Sequence, residues 1–376
     1  MAGTKIGFLC FGEGGSNVGE YAAQKGFPVV AVNSAKIDLE KIKIIPKDCR
    51  IHLDGWEGAG RNRDVGREAV LSHAETIFEK IKDKFKDCDM VFSVASTAGG
   101  TGSGSLAVGI ELLSEINSKV GAITILPDKN ESPKAHMNSL ECFSELSQYE
   151  QLNSTFIIDN EKANQVFKGK DKIQIYQLSN NQLIDNLAEI CSLTDQHALV
   201  SNFDKNDLLE ILSERGTTII SKITIPTEEL KDEVEIVNAI RKSWETVCSS
   251  DIGDGQIVKA GVFGKIPKEL TSMIDSRKVF EEIGMPYDII ESYYLNTEHS
   301  NHCIFYTILS GLSYPIERLK QIESEVQMIE QELINRVEVS RTQVFSTNNW
   351  NSKFKRPEQK QNVKTSLSDR LTRFTK

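Results

Sequence analysis

The residues best suited to chemistry lie in one short loop. Ala98, Gly99, Gly100, Thr101, Gly102, Ser103 and Gly104 contain four glycines, one hydroxyl of each kind and no lysine. They follow an apolar run at 90–95 and precede a helical pattern beginning near Leu106. So little side-chain bulk lets backbone N–H groups close on phosphate oxygens, and a helix N-terminus behind them adds a favourable dipole. The G-x-x-x-x-G-K-[ST] loop is absent, so its lysine cannot neutralise the phosphates. That leaves backbone amides and a metal ion to compensate the charge.

Other loops fall at the predicted carboxyl ends of strands. Gly12, Glu13, Gly14, Gly15 and Asn17 follow the first strand and open a helix. They approach the dinucleotide pattern G-x-G-x-x-G, but Asn17 replaces its third glycine. Gly58, Gly60, Arg61 and Asn62 form a further Gly-rich turn, Asn33 and Ser34 end the second strand, and Glu131 follows Pro127. Several glycine loops converging on one sheet edge point to a polyphosphate ligand. Asn202, Asp204 and Asp207 form N-x-D-x-x-D, with the two carboxylates three residues apart. They could be an acidic pair facing one way, or an N-cap and a first-turn acid favoured by the helix dipole.

Strands are expected at 5–11, 27–32, 90–95, 122–126 and 155–158, with helices between them, including 64–86 and 132–150. Strands alternating with helices predict a Rossmann-like parallel sheet covered on both faces. A long central helix is expected at 174–200. Strands at 217–225, 256–262, 287–295 and 303–309, with helices near 235–248 and 268–283, predict a second α/β unit. Its mixed four-stranded sheet would end in a hairpin of the last two strands. From Ile316 the residues Leu319, Ile322, Val326, Ile329 and Leu333 form a narrow apolar stripe. That stripe fits a helix packed on its own body or on a neighbouring subunit.

The chain has 376 residues, 39% of them hydrophobic, and a net charge of −10. From Arg341 to Lys376 there are nine Lys or Arg against two Asp or Glu, so an acidic body carries a basic tail. The tail is polar and expected to be disordered alone. No run is long enough to span a bilayer, and the N-terminal residues do not resemble a signal peptide, so a cytoplasmic protein without a membrane partner is expected. Seven scattered cysteines without a C-x-x-C pair fit reduced core thiols, and the six histidines show no zinc-ligand spacing.

Together these motifs resemble the tubulin/FtsZ family. Residues 98–104 match its signature loop [AG]-G-G-T-G-[ST]-G, 12–17 its first loop, 58–62 its G-A-G-x-N loop and 202–207 its synergy loop. The resemblance covers about residues 4–310. It implies a GTPase that binds GTP or GDP with Mg²⁺ held through the phosphates, Glu13 being a possible metal contact. Gly12, Glu13, Gly14, Gly15, Asn17 and Asn33 would serve phosphate and ribose. Ala98 to Gly104 would wrap the phosphates, and Gly58, Gly60, Arg61 and Asn62 would approach the γ-phosphate. Glu131 would bond the ribose, while Tyr176 and Asn180, four apart, would stack on and bond the base; otherwise they are a helix-face pair. Asn202, Asp204 and Asp207 would act on the GTP of the adjacent subunit in a head-to-tail polymer. Ala35 and Ala135 stand where FtsZ-like members carry Asp and Arg.

The same resemblance divides the chain. It implies a GTP-binding domain at 1–172, a central helix at 173–201, a GTPase-activating domain at 202–312, a C-terminal helix at 313–345 and a basic tail at 346–376. The long helix and basic ending look like the TubZ branch, in which the tail engages a TubR-like DNA-binding adaptor on centromeric DNA and so partitions plasmids or phages. The alternatives are an FtsZ-type division GTPase, a dinucleotide-dependent oxidoreductase resting on Gly12–Gly15, and a non-hydrolysing binding module.

Overall fold

A computed structural model describes residues 3–249, 252, 256–296 and 301–345, with side chains as far as Arg336. The tail at 346–376 lies outside the described residues. Strands β1 (Ile6–Phe11), β2 (Val29–Asn33), β3 (Arg50–His52), β4 (Met90–Ser96), β5 (Val120–Leu126) and β6 (Ser154–Asp159) run parallel. Their order is β3-β2-β1-β4-β5-β6, so the winding direction reverses between β1 and β4. β1 is buried along its whole length, as a strand covered on both faces should be. Ile6, Phe8 and Cys10 join one core with Ile184 and Leu187 of helix α8 (Lys172–Leu193). Leu9 and Phe11 face the other core, with Leu106 and Ile110 of helix α5 (Thr101–Ser114).

The same sheet continues into β7 (Gly216–Pro226), β10 (His302–Leu312), β8 (Lys259–Ile266) and β9 (Asp288–Leu295), giving ten strands. A short parallel register, Ser154–Phe156 against Gly216–Thr218, joins the two parts of the sheet. The expected mixed four-stranded arrangement is present, but the expected hairpin is not. β10 lies between β7 and β8, antiparallel to both, and β9 pairs in parallel with β8 at the edge. Burial explains the placement: β10 buries Cys303, Phe305, Tyr306, Ile308 and Leu309, whereas five of the eight β9 residues stay at least partly exposed and suit an edge.

Three expected helices also differ. The 64–86 stretch is two helices, α3 (Arg63–Leu71) and α4 (Ala74–Lys84). Ser72 Oγ donates to the Ala69 carbonyl at 2.9 Å and the His73 ring contacts the same oxygen, taking an acceptor the helix would use. α8 stops at Leu193 rather than near 200, because Leu199 N donates to the Tyr293 carbonyl and Val200 bridges Tyr293 beside β9. The 268–283 stretch is a 3₁₀ turn at Lys268–Met273 followed by a short helix at Ser276–Phe280, restarted by the Asp275 cap.

Helix α12 (Ile316–Phe345) realises the apolar stripe in its first turns only. Leu319, Ile322 and Val326 are buried on the body, while Leu333 stays exposed. Arg318 fixes its start, donating to Asp159 Oδ2 at 3.1 Å and to the Pro127 carbonyl at 2.8 Å. Among the described residues, no helix is long and apolar enough to cross a membrane.

Candidate nucleotide site

Two helices begin at the point where the strand order reverses. Helix α1 (Gly12–Gln24) follows β1, and α5 follows β4 after the loop at 97–100. Neither has a side-chain cap, so their first N–H groups remain available to a ligand. Gly12 has φ +69°, a conformation that favours glycine, and a Cβ there would lie 3.2 Å from Gly102 N. The two N-termini are packed backbone to backbone, and both dipoles favour an anion in front of them. An open cleft of about 1160 Å³ lies there.

The cleft is lined by Gly12, Glu13, Gly14, Asn17, Asn33, Gly58, Arg61, Ala98, Gly99, Gly100, Thr101, Gly102, Glu131, Tyr176 and Asn180. These come from six separate stretches of chain, so the fold brings together what the sequence left apart. Gly15, Gly60, Asn62, Ser103 and Gly104 do not line it. Gly15 and Gly104 allow close packing instead: a Cβ would fall 2.4 Å from the Val94 carbonyl oxygen and 2.1 Å from that of Arg63. Ser103 is buried and donates to the Gly99 carbonyl, and Asn62 caps α3 by accepting from Asp64 N and Val65 N. Gly60, with φ +54°, shapes the turn.

Several contributors carry no sequence motif. Asn138, fully buried on helix α6 (Pro133–Leu146), donates from Nδ2 to the carbonyls of Arg61, Ala98 and Gly99 at 3.0–3.1 Å. One amide thus ties the 58–62 turn to the 98–104 loop. Gly66 lets α3 lie against the same loop, because a Cβ there would meet Gly100 O at 2.4 Å. Ser34 Oγ lies 2.7 Å from Thr101 Oγ1, and Asn33 orders the 33–38 turn by accepting from Ala35 N and donating to Asp38. No periodicity would have singled out Asn138; its signal is a buried amide facing three carbonyls, visible only in three dimensions.

At the other end of the cleft, Tyr176 OH donates to Asp128 Oδ2 at 3.2 Å. Lys172 reaches Asp128 and Glu131, each at 3.2 Å. Burial raises the Tyr176 phenol, keeping it a donor. Burial also works to raise the Asp128 carboxyl, yet the Asn130 N–H, Lys172 and Tyr176 outweigh it and hold the carboxyl below its ordinary value.

Asn202, Asp204 and Asp207 are elsewhere. Asp204 caps helix α9 (Lys205–Leu212), accepting from Asn206 N and Asp207 N, and Asp207 accepts from Asp204 N at 2.9 Å. The plain structural role is therefore real, and it holds both carboxylates rigidly. Phe203, packed 4.2 Å from the Phe263 ring, anchors the turn, while Asn202 and Asp204 stay exposed. Lys205 pairs with Asp89 at 2.8 Å, and Asp89 also accepts from Lys5 N. Asp89 and Lys5 precede β4 and β1, so the acidic turn sits at the amino ends of the strands whose carboxyl ends form the cleft. β4 has seven residues, which separates the two features by roughly 20 Å of strand. No molecule can bring this acidic pair to its own cleft.

A reversal-point cleft with glycine loops and two uncapped helix N-termini has the form that suits a nucleotide, and residues 5–168 match the GTPase-domain model of the tubulin/FtsZ family. Residues 5–168 are thus identified as a GTPase domain of the tubulin/FtsZ type. Relatives of the chain include the tubulin-like protein TubZ of Bacillus cereus, 25% identical over 87% of this chain and 83% of that protein. A GTPγS-form protofilament of Bacillus thuringiensis serovar israelensis TubZ shares the fold, with TM-score 0.76 at 19% identity, covering 89% of this chain and 94% of that one. The structure of a type III plasmid segregation TubZ gives TM-score 0.72 at 17% identity, covering 88% and 93%.

Proposed function

We propose that the protein is a filament-forming GTPase that hydrolyses GTP only across a subunit contact. One observation carries this reading: cleft and acidic turn occupy opposite ends of the same strands. A head-to-tail contact sets the Asp204–Asp207 turn of one subunit against the cleft of the next. Such a contact is heterologous and, when it does not close, extends into a filament. The TubZ relative solved as a protofilament supports it.

The residues fit a guanine nucleotide. Amides of α1 and α5 face the phosphates, Glu131 the ribose, and Tyr176 and Asn180 the base. Among the described residues, no group of three His, Cys, Asp or Glu could hold a metal alone, so Mg²⁺ would be held chiefly by the phosphates, with Glu13 at the rim. Phosphoryl transfer needs a positioned water and compensated charge more than covalent help. The acidic turn, rigidified by its capping box, would orient that water. The division at 1–172, 173–201, 202–312, 313–345 and 346–376 assigns nucleotide binding, linkage, activation, the subunit-gripping helix and the basic tail.

For biological role we favour DNA partition, with the basic tail engaging a TubR-like adaptor on centromeric DNA; a relative is described as a plasmid segregation TubZ. Electron microscopy with GTP, GDP and GTPγS, alongside phosphate release, tests assembly. Filaments with the triphosphates and turnover that rises with assembly are expected; full turnover in dilute monomer would overturn the reading. Deleting residues 346–376 should leave filaments intact and abolish adaptor–DNA capture, and unchanged capture would remove the tail from the role.

A further inference from the structure

The charge of the cleft is unusual for a triphosphate site. Of the residues that line it, Glu13, Glu20, Asp38 and Glu131 are acidic, and Arg61 alone is cationic. Of the lysines near its rim, Lys41 is committed to Asp38 at 3.1 Å and Lys172 to Asp128 and Glu131. Arg61 is also one of two non-glycine residues, among those described, with positive φ, at +61°. A sparsely populated backbone conformation persists where the surroundings enforce it, and here Asn138 holds the Arg61 carbonyl together with those of Ala98 and Gly99. The arginine is thereby rooted beside the phosphate loop, while its guanidinium reaches across to Ser132 Oγ at 2.6 Å and lies 3.8 Å from Glu131.

We propose that Arg61 is a catalytic residue, the cation each subunit places on the terminal phosphate of its own GTP. This rests on the GTPase reading and specifies which side chain supplies the positive charge that the missing loop lysine would have given. Glu131 and Ser132 hold the guanidinium in waiting. A ribose bonded to Glu131 weakens that hold and frees the guanidinium to turn back over the loop from which it springs. In the reaction, water adds to the γ-phosphorus, the bond to the β–γ bridging oxygen breaks, GDP leaves and the water's protons pass to phosphate and solvent. Arg61 exchanges no proton; it neutralises charge on the transferred group. Its work is divided from that of the neighbour's acidic turn, which orients the water.

The left-handed backbone makes the test clean, because Arg61→Gly removes the guanidinium at a φ that glycine prefers. Affinities for fluorescent GDP and GTPγS, and phosphate release per sedimented subunit, are measured for Arg61→Gly, Arg61→Lys and the parent chain. GDP affinity should stay within about twofold in Arg61→Gly, GTPγS affinity should fall about tenfold, and turnover should fall roughly 10²-fold or more. Arg61→Lys should recover part of the turnover, since a point charge replaces the fork. Unchanged turnover in Arg61→Gly overturns the proposal, and so do equal losses of GDP and GTPγS affinity, which would mark a merely structural arginine. A parent chain that neither binds nor cleaves GTP would instead defeat the GTPase reading itself.

Discussion

Replacing Gly66 with alanine should damage the nucleotide site from behind. The new Cβ would lie 2.4 Å from the Gly100 carbonyl oxygen and 2.7 Å from the Thr101 Cα, whereas ordinary contact begins at 3.4 Å. Both neighbours are backbone, so no rotamer change relieves the clash. Helix α3 and the phosphate loop must part by about 1 Å. Overpacking of this kind costs about 1–3 kcal/mol, and rigid neighbours place it at the upper end, lowering the melting midpoint by several degrees. Displacing a binding loop by about 1 Å can cost up to 10²-fold in function. Gly99→Ala is the matched control. Gly99 lines the cleft, and a Cβ there meets no protein atom within 4 Å. That variant should melt like the parent yet bind GTP at least about fivefold more weakly, because the methyl occupies ligand space. Thermal melts and fluorescent-GTP titrations on both variants make the comparison. A Gly66→Ala protein that melts and binds like the parent would refute the packing argument. A Gly99→Ala protein with parental GTP affinity would refute the placement of phosphate against this loop.

Asn138→Ala should loosen the 58–62 turn from the 98–104 loop, costing about 1–3 kcal/mol in stability by removing three buried bonds from one amide; a denaturant melt and a GTP titration should both register it. The Asp128 tether has a defined pH window. Its folded pKa is lowered, so its contribution is complete above the unfolded value of about 3.9 and is lost as pH falls through the lower folded value. The melting difference between the parent and Asp128→Asn should therefore hold from pH 7 to pH 5 and shrink below about pH 4. Arg318→Ala should strand the nearly buried Asp159 without its cation and destabilise the chain by about 3–5 kcal/mol, whereas the double change Arg318→Ala with Asp159→Asn should regain much of that in chemical denaturation.

Much of the parallel half was legible because its signals are local. Continuous apolar runs marked β1, β4, β5 and β6, and the loops after β1 and β4 were chemically conspicuous. Most motif residues gathered in one cleft. What stayed hidden depends on contacts distant in sequence. Asn138 acts on residues 39–77 positions away, and Gly66 matters only because the Gly100 backbone lies against it. The β9–β10 pairing was misjudged for the same reason: short separation suggested a hairpin, but burial on both faces drew β10 between β7 and β8. Helix ends at Leu71 and Leu193 were set by Ser72, His73 and the Tyr293 backbone, which compete with helical bonds in ways that an apolar stripe does not record. Asp204 and Asp207 were open to two readings, and the structure realises the cap without displacing the other, because the cap is what fixes the carboxylates on an exposed turn.

If each active centre is assembled from two molecules, two defective proteins should complement each other when mixed. One carries Asp204→Asn and Asp207→Asn, which preserve the capping acceptors and remove the charge; the other carries Gly99→Ala with its acidic turn intact. Phosphate release is measured for each alone and for the mixture, with sedimentation confirming co-assembly. With GTP held well below the concentration that fills the weakened Gly99→Ala cleft, each protein alone should turn over far more slowly than the parent, and the mixture should recover activity wherever an intact cleft meets an intact acidic turn. Co-sedimenting mixtures that stay silent, or an acid-free protein that cleaves GTP at the parental rate by itself, would contradict the account.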